Sequence, residues 1–500
     1  MHEKRERAGL LTLDGVKGTR AAEDAFLRQN RELRSPEYGF HLKFSRFYGE
    51  THIIMDNLQK KYGFWTATAM VVGIVIGSGV FFKADNVLEA SGGSLPTALL
   101  AWLIGGAIMV VTAYVFSRIA TRVERINGVV DYFEQAYGQK AGYYVAWFMT
   151  FIYYPTLVAV LAWVSANYTQ GLLGLDNAVW PISFVYLTAF FLLNFFSPVL
   201  AGRWQVTSTA VKLIPLILVA AVGTVTGLSN GLTMENFATA AKTVSGGGGL
   251  AMATLSTAFA YEGWIIATVI NAELKDAKRT LPRALVVGTI AVVVIYMLYY
   301  LGISGVLTND QVLAEGDAAP VRVISLIFGR LGGTLLTVFV IISCLGTLNG
   351  LIMGSARGMF SIASRDLGPR PDLFRRINPV NNCTTHSAMM GYVLSCLWLM
   401  VWYGNFAGWW GDFMDISELP IAFLYVIYIS LYLWVMKTFT DLGSFSRYVC
   451  PGLAGAGSVY IIWGAVQKAM FLHFLILSLL ILGAGVFLMH GRRPRNTKRR

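Results

Sequence analysis

The chain has 500 residues, of which 55% are hydrophobic and 14% charged, with a formal net charge of +12. Soluble globular domains carry roughly 25% charged residues, so this composition excludes a soluble enzyme and points to a protein that crosses a membrane many times. Much of the positive charge lies in short loops and in the tail "RRPRNTKRR" (492–500), which reads as membrane topology and not as a nucleic-acid surface.

Residues 1–62 are polar, with both charge signs mixed, and no short cleavable signal peptide opens the chain. Met55 begins "MDNLQKKYGFW", so two readings stay open: a cytosolic arm, or sequence upstream of the true start. A membrane helix needs about 20 mainly apolar residues. Scanning at that length predicts twelve spans, at 64–88, 95–119, 140–172, 179–200, 205–228, 250–272, 284–307, 324–364, 387–404, 412–436, 449–467 and 469–490. The fold class is therefore an all-α integral membrane protein with a twelve-helix domain over 63–490 and a basic tail over 491–500.

Loop charge sets the orientation. Arg118, Arg122 and Arg125 follow span 2, Lys275, Lys278, Arg279 and Arg283 follow span 6, and Arg365, Arg370, Arg375 and Arg376 follow span 8. The opposite loops, such as "NDQVLAEGDAAP" (309–320), are poor in lysine and arginine, which puts both termini in the cytoplasm. The segment 121–140 is too polar to span and reads as an amphipathic connector on the cytosolic side. "SGGGG" (245–249) reads as a flexible lead-in to span 6, since no Lys-Ser or Lys-Thr pair follows it.

Two spans carry helix breakers in their apolar middles. Span 1 contains "IGSG" (76–79), and span 6 contains Glu262 and Gly263 within "FAYEGW". Interrupted helices at corresponding places in two halves are the sequence sign of an inverted-repeat transporter with a site near the bilayer midplane. Spans 1–5 (about 64–228) and 6–10 (about 250–436) would form the 5+5 repeat, with 449–490 outside it. Unpaired backbone groups are costly in hydrocarbon and survive where they meet a ligand or line a cavity. The amides of Ser78, Gly79 and Val80, with the positive end of the outer half-helix, suit a carboxylate. The carbonyls near Ile76 and Gly77, and those around Phe259, Ala260 and Tyr261, suit an ammonium group. Donors and acceptors so close together match the zwitterionic head of an α-amino acid. Close helix packing through small residues is the competing reading of the glycines.

"GIVIGSGVFF" (73–82), "FAYEGWIIATVINAELKDAKRTLPRA" (259–284) and "ISCLGTLNGLIMGSARGMFSIASR" (342–365) resemble the amino acid–polyamine–organocation superfamily. The nearest look is to its L-type amino acid transporters and their bacterial serine/threonine-exchanger relatives, over roughly 60–490. The resemblance implies a LeuT-like twelve-helix fold and amino-acid transport by alternating access. It also implies that the helix-1 motif binds the substrate carboxylate and that Phe259 closes the site from outside.

Lys212 lies inside span 5, where a charge is a functional hypothesis by default. Its ammonium could stand in for a bound sodium ion and bridge to broken helix 1, a place where the resemblance also implies a lysine and sodium independence. Snorkelling to the cytoplasm is the alternative. Glu262 could contact a cationic or hydroxylated side chain, carry a coupling proton or pair with a polar neighbour. Asn349 could line the path or join helices, and Tyr153 and Tyr154 could line the pocket or pack. "WYGNFAGWWGDF" (402–413) fits an interfacial aromatic belt. Glu273 and Glu418, near span ends, are expected to pair with basic or polar neighbours.

The leading expectation is an exchanger or proton-linked carrier of small or neutral L-amino acids. A cationic amino-acid or polyamine carrier is the alternative within transport, and a receptor or channel the alternative outside it. No enzyme chemistry, cofactor or metal is expected: His2, His41, His52, His386, His473 and His490 are scattered, and the four cysteines show no paired spacing. The loop "TQGLLGLDNAVWP" (169–181) lacks the cysteine by which animal L-type transporters bridge a heavy chain, so no disulfide-linked partner is expected. The partners left are the amino-acid substrate and the lipid bilayer.

Overall fold

The computed structural model describes residues 63–123, 128–239, 249–267, 274, 276–378 and 383–489. The expectations for the arm, the tail, residues 245–248 and Glu273 fall outside these residues. Every regular element described is helical.

Span 1 is three pieces: α1 (Phe64–Val75), α2 (Gly79–Phe82) and α3 (Ala84–Ala90). The long helix α4 (Leu95–Ala120) follows, and then α5 (Val129–Tyr137), the connector. Next, α6 (Gln139–Phe148) runs through a π-helical turn (Met149–Tyr153) into α7 (Tyr154–Leu173), and α8 (Val179–Phe196) comes after a short loop. Pro155 explains the π turn, because it has no N–H to continue the α-helical ladder.

Span 5 is α9 (Pro198–Val211), α10 (Leu213–Leu218) and, after a second π turn, α11 (Thr224–Ser229). The chain then bends by 82° into α12 (Leu232–Ala238). Span 6 is α13 (Leu250–Tyr261) and α14 (Trp264–Ala267). The remainder is α15 (Ala277–Ser304), α16 (Asn309–Glu315), α17 (Ala319–Ser355), α18 (Gly358–Ala363), α19 (Pro371–Phe374), α20 (Thr385–Phe406), α21 (Leu419–Thr438), α22 (Cys450–Val466) and α23 (Phe471–Leu488).

Among the described residues nine helical stretches are long and apolar enough to cross a bilayer, and the bent pair Leu213–Ser229 and Leu232–Ala238 brings this to ten. Two shorter apolar helices remain, Phe64–Gly73 and Leu250–Tyr261. They fall short because spans 1 and 6 are the interrupted ones.

Lipid tails are as apolar as leucine, so these helices associate by close packing and interhelical hydrogen bonds. A Cβ on Gly105 of α4 would lie 2.0 Å from Thr257 Oγ1 on α13, and one on Gly223 would lie 2.3 Å from the Gly302 carbonyl oxygen on α15. Small residues thus set the distances at which α13 and α15 pass their neighbours.

Span 10 begins later than the hydropathy scan places it, at Leu419 instead of 412. Asp415 holds the preceding turn, since its Oδ1 accepts from the amides of Ser417 and Glu418 and from the Ser417 hydroxyl. Pro420 then sits in the first helical turn, where its missing N–H costs nothing. In the aromatic run, Trp409, Trp410 and Phe413 are exposed, whereas Trp402 is buried against Trp163.

Candidate functional site

The two interruptions lie against each other. A Cβ on Gly79 would sit 2.5 Å from the Ala260 Cα and 3.1 Å from the Phe259 ring, so α2 meets the end of α13 backbone to backbone. No residue but glycine permits that approach without a shift of one break. At Gly77 a Cβ would meet Thr347 Oγ1 of α17 at an ordinary 3.4 Å.

α1 ends with Ile76 extended (φ −65°, ψ 107°), and α2 starts after Ser78. In the outer half the first backbone bonds run from Phe81 and Phe82 to the Ser78 carbonyl and from Lys83 to the Gly79 carbonyl. Among the described residues no carbonyl accepts the amides of Ser78, Gly79 or Val80. The buried Ser78 hydroxyl likewise has no nitrogen or oxygen partner, and Cys344 of α17 lies beside it.

In span 6, α13 stops because Glu262 turns extended (φ −66°, ψ 153°) and Gly263 takes φ 112°, a conformation that L side chains rarely adopt. The Phe259 carbonyl accepts from the Glu262 amide at 3.3 Å. The Tyr296 hydroxyl of α15 sits 3.2 Å from the Ala260 carbonyl oxygen and 3.5 Å from that of Val75, and its one proton can serve either break. The Phe259 and Ala260 carbonyls are therefore not wholly free, and each keeps one lone pair. Tyr261 turns away. Its hydroxyl donates to the Trp102 carbonyl at 3.0 Å and its ring stacks on Tyr296, so its side chain anchors α13 to α4 and α15.

Glu262 faces α7. Its Oε1 accepts from the Tyr153 hydroxyl at 2.9 Å, and its buried Oε2 has no hydrogen-bond partner among the described residues. The π turn before Pro155 places Tyr153 there, while Tyr154 packs on Gly354 of α17. Asn349 joins helices: its Nδ2 lies within bonding distance of Ala201 O and Gln205 Oε1 on span 5, and its Oδ1 accepts from Asn194 Nδ2 on span 4.

Phe259 stacks edge-on against Phe82, which meets Trp163 in the same way. Lys83 Nζ lies 4.8 Å from the centre of the Phe82 ring and 5.5 Å from that of Phe259. The sequence reading missed Lys83, although a charge inside span 1 is as strong a signal as the one at Lys212.

Lys212 is buried, at 5% exposure, in the turn between α9 and α10. That turn precedes Pro215, which has no N–H to offer the Val211 carbonyl. One helical turn earlier, Ser208 packs so tightly on Gly346 of α17 that a Cβ there would lie 2.3 Å from its Oγ. α9 also touches α1, but Lys212 makes neither an ion pair nor a hydrogen bond to α1 among the described residues. The described residues include no group of histidine, cysteine and carboxylate side chains fit to hold a metal ion.

Residues 62–497 match the amino acid permease family. The chain is 27% identical to the serine/threonine exchanger SteT of Bacillus subtilis over 379 residues, 76% of this chain and 83% of that protein. It is 29% identical to the Asc-type amino acid transporter 1 of Mus musculus, over 67% of this chain and 63% of that protein. It is also 28% identical to the large neutral amino acids transporter small subunit 2 of Homo sapiens, over 69% of this chain and 64% of that protein. The chain spans somewhat under two thirds of these two mammalian relatives. With 62–497 matched and the interruptions of spans 1 and 6 in contact, this chain belongs to the amino acid permease family, in the serine/threonine-exchanger and L-type branch of the amino acid–polyamine–organocation superfamily.

Proposed function

We propose that this membrane protein is a sodium-independent transporter of small or neutral L-amino acids, working by alternating access as an exchanger or a proton-linked carrier. The observation that carries this reading is the contact of Gly79 with Ala260, which brings the unpaired amides of one break beside the remaining carbonyl lone pairs of the other. The carboxylate is held by the amides of Ser78, Gly79 and Val80 and by the Ser78 hydroxyl. The ammonium is held by carbonyls near Ile76, Gly77, Phe259 and Ala260. Gly263 lets the chain turn at the break, and Phe259 covers the bound head group. Lys212 takes the place of a sodium ion between α9 and α1.

The short apolar helices α1 and α13 support twelve spans in two inverted sets of five, with α22 and α23 outside them. The basic loops support cytoplasmic termini. The protein works without a disulfide-linked subunit.

Glu262 gives the second reading its motive. A buried carboxylate oxygen without a partner favours a substrate whose side chain can donate, a hydroxyl or a cation. The serine/threonine specificity in the name of the Bacillus relative agrees with a hydroxyl.

Thermal stability of the purified protein with added ligands tests the head-group site. L-serine is expected to raise Tm, while L-serine methyl ester and ethanolamine, which lack the carboxylate, leave it unchanged. Equal stabilisation by the amines would overturn the assignment of the amides to a carboxylate.

A further inference from the structure

Above the Phe82 and Phe259 rings lies a closed set of four charges from three parts of the chain. Lys83 Nζ, at the end of α2, is 2.7 Å from Glu418 Oε1, 2.9 Å from Ser417 Oγ and 3.7 Å from Asp415 Oδ2. Lys468, in the loop between α22 and α23, reaches the other sides of the same carboxylates, 2.9 Å from Glu418 Oε2 and 3.6 Å from Asp415 Oδ2. Two ammonium groups thus face two carboxylates. The Lys83 and Glu418 side chains are 2% and 0% exposed.

We propose that Lys83 is a positioning residue for transport: paired with Glu418 and Asp415, it latches the outer half of broken helix 1 over the Phe259 gate. The inference rests on the amino-acid transport reading, because a latch on α2 has work to do only if the site beneath it opens and closes.

The placement of the lysine supports this. α2 has four residues and is tied at one end to the break at Ser78, so it has little helix of its own to hold it in place. Its other end carries Lys83, the residue that reaches the turn before α21. Opening the site on this side would separate Lys83 from Glu418. Separation in a dry interior would leave charges uncompensated, which is strongly unfavourable. If water enters as the ends part, it solvates both groups and the cost falls. The pair therefore favours two states, closed and dry or open and wet, over an intermediate. Removing Lys83 leaves Lys468 to face two carboxylates and biases the equilibrium toward the open, wet state.

The test uses the full chain, with Lys83→Met, Lys83→Arg, Glu418→Gln and the double variant Lys83→Met/Glu418→Gln. In proteoliposomes, exchange of labelled L-serine and of labelled L-leucine is measured against the same internal amino acid. For the two single neutral variants the maximal rate is expected to fall at least about tenfold, because each cycle must close the outer side. The external KM stays equal or drops, whereas damage to the site would raise it. Lys83→Arg keeps most of the rate, and the double variant loses no more than the worse single one, as coupled partners require.

A second measurement needs no substrate. In nanodiscs, alkylation of native Cys344, which is 0% exposed and lies beside Ser78, is followed by mass spectrometry with a charged maleimide. Lys83→Met is expected to speed it at least about fivefold. Wild-type rates and Cys344 labelling in folded Lys83→Met protein would overturn the latch and leave the transport reading intact. Failure of wild-type protein to move either amino acid would count against the transport reading itself, and the latch would fall with it.

Discussion

The Gly79 backbone lies so close to Ala260 that a Cβ on the glycine would stand 2.5 Å from the Ala260 Cα. Real Cβ atoms essentially never come so near, and both sides of the contact are backbone, so neither can swing aside. Gly79→Ala must push the two breaks apart, an overpacking cost of about 1–3 kcal/mol. We expect inserted protein with a lowered Tm and almost no transport. Gly77→Ala, where the added carbon meets only the Thr347 side chain at 3.4 Å, is expected to keep a Tm near that of wild type. Equal Tm values for the two variants would contradict the packing account.

Substrate choice should answer to Glu262. Its Oε1 is occupied by Tyr153 and its Oε2 is left for a donor. Glu262→Gln replaces an acceptor with an amide and is expected to change the serine-to-leucine ratio of kcat/KM by about tenfold, the worth of one buried hydrogen bond. Tyr153→Phe is expected to shift the same ratio less. An unchanged substrate ranking and pH profile in Glu262→Gln would remove the residue from the specificity account.

Lys212→Ala is expected to insert normally and to lose at least about tenfold in maximal rate, with no rescue by sodium. Wild-type protein should run equally well in sodium and in choline buffers. The motive is that Lys212 is buried within a membrane span, where an ionisable side chain is costly and is a functional hypothesis by default. A wild-type rate in the variant would leave Lys212 as a snorkelling side chain.

The outer charge set has a defined pH window. Burial alone would raise the Asp415 carboxyl, but Lys83 and Lys468 outweigh it and hold that group below the usual carboxylate range. Burial alone would lower the Lys468 ammonium, but Glu418 and Asp415 outweigh it and hold that group above the usual lysine range. For the depressed carboxyl, the stabilisation is present above its unfolded value and is lost only as pH falls through the lower folded one. For the raised ammonium, it is present below its unfolded value and is lost only as pH rises through the higher folded one. Both contributions are complete from about pH 5 to 9. Asp415→Asn should therefore lower Tm by the same amount at pH 5, 7 and 9, with a cost approaching the roughly 3–5 kcal/mol of a broken buried pair. A loss of Tm that varied strongly across that window would contradict the assignment.

The sequence made the broken spans legible because a helix break has a local cause. Gly77, Ser78 and Gly79 stand together in one apolar run, and Gly263 follows a carboxylate in another. Partners far apart in the chain were hidden. Glu418 read as an end residue with a basic or polar neighbour, yet nothing local pointed to Lys83, 335 positions away. The Tyr296 hydroxyl between the two breaks gave no signal either, being one tyrosine among many in an apolar helix. Hydropathy also placed the start of span 10 too early, since it cannot register the turn that Asp415 holds.

The most direct test of the central claim is counterflow in proteoliposomes holding the purified chain, loaded with unlabelled L-serine or L-threonine and offered a labelled panel of L-amino acids. The account predicts uptake that is accelerated by internal amino acid or driven by a proton gradient, that is indifferent to sodium, and that is lost in Gly79→Ala. If wild-type protein moved no amino acid or amine under any of these conditions, or moved them as fast with Gly79→Ala, the account of the two breaks as one amino-acid site would be wrong.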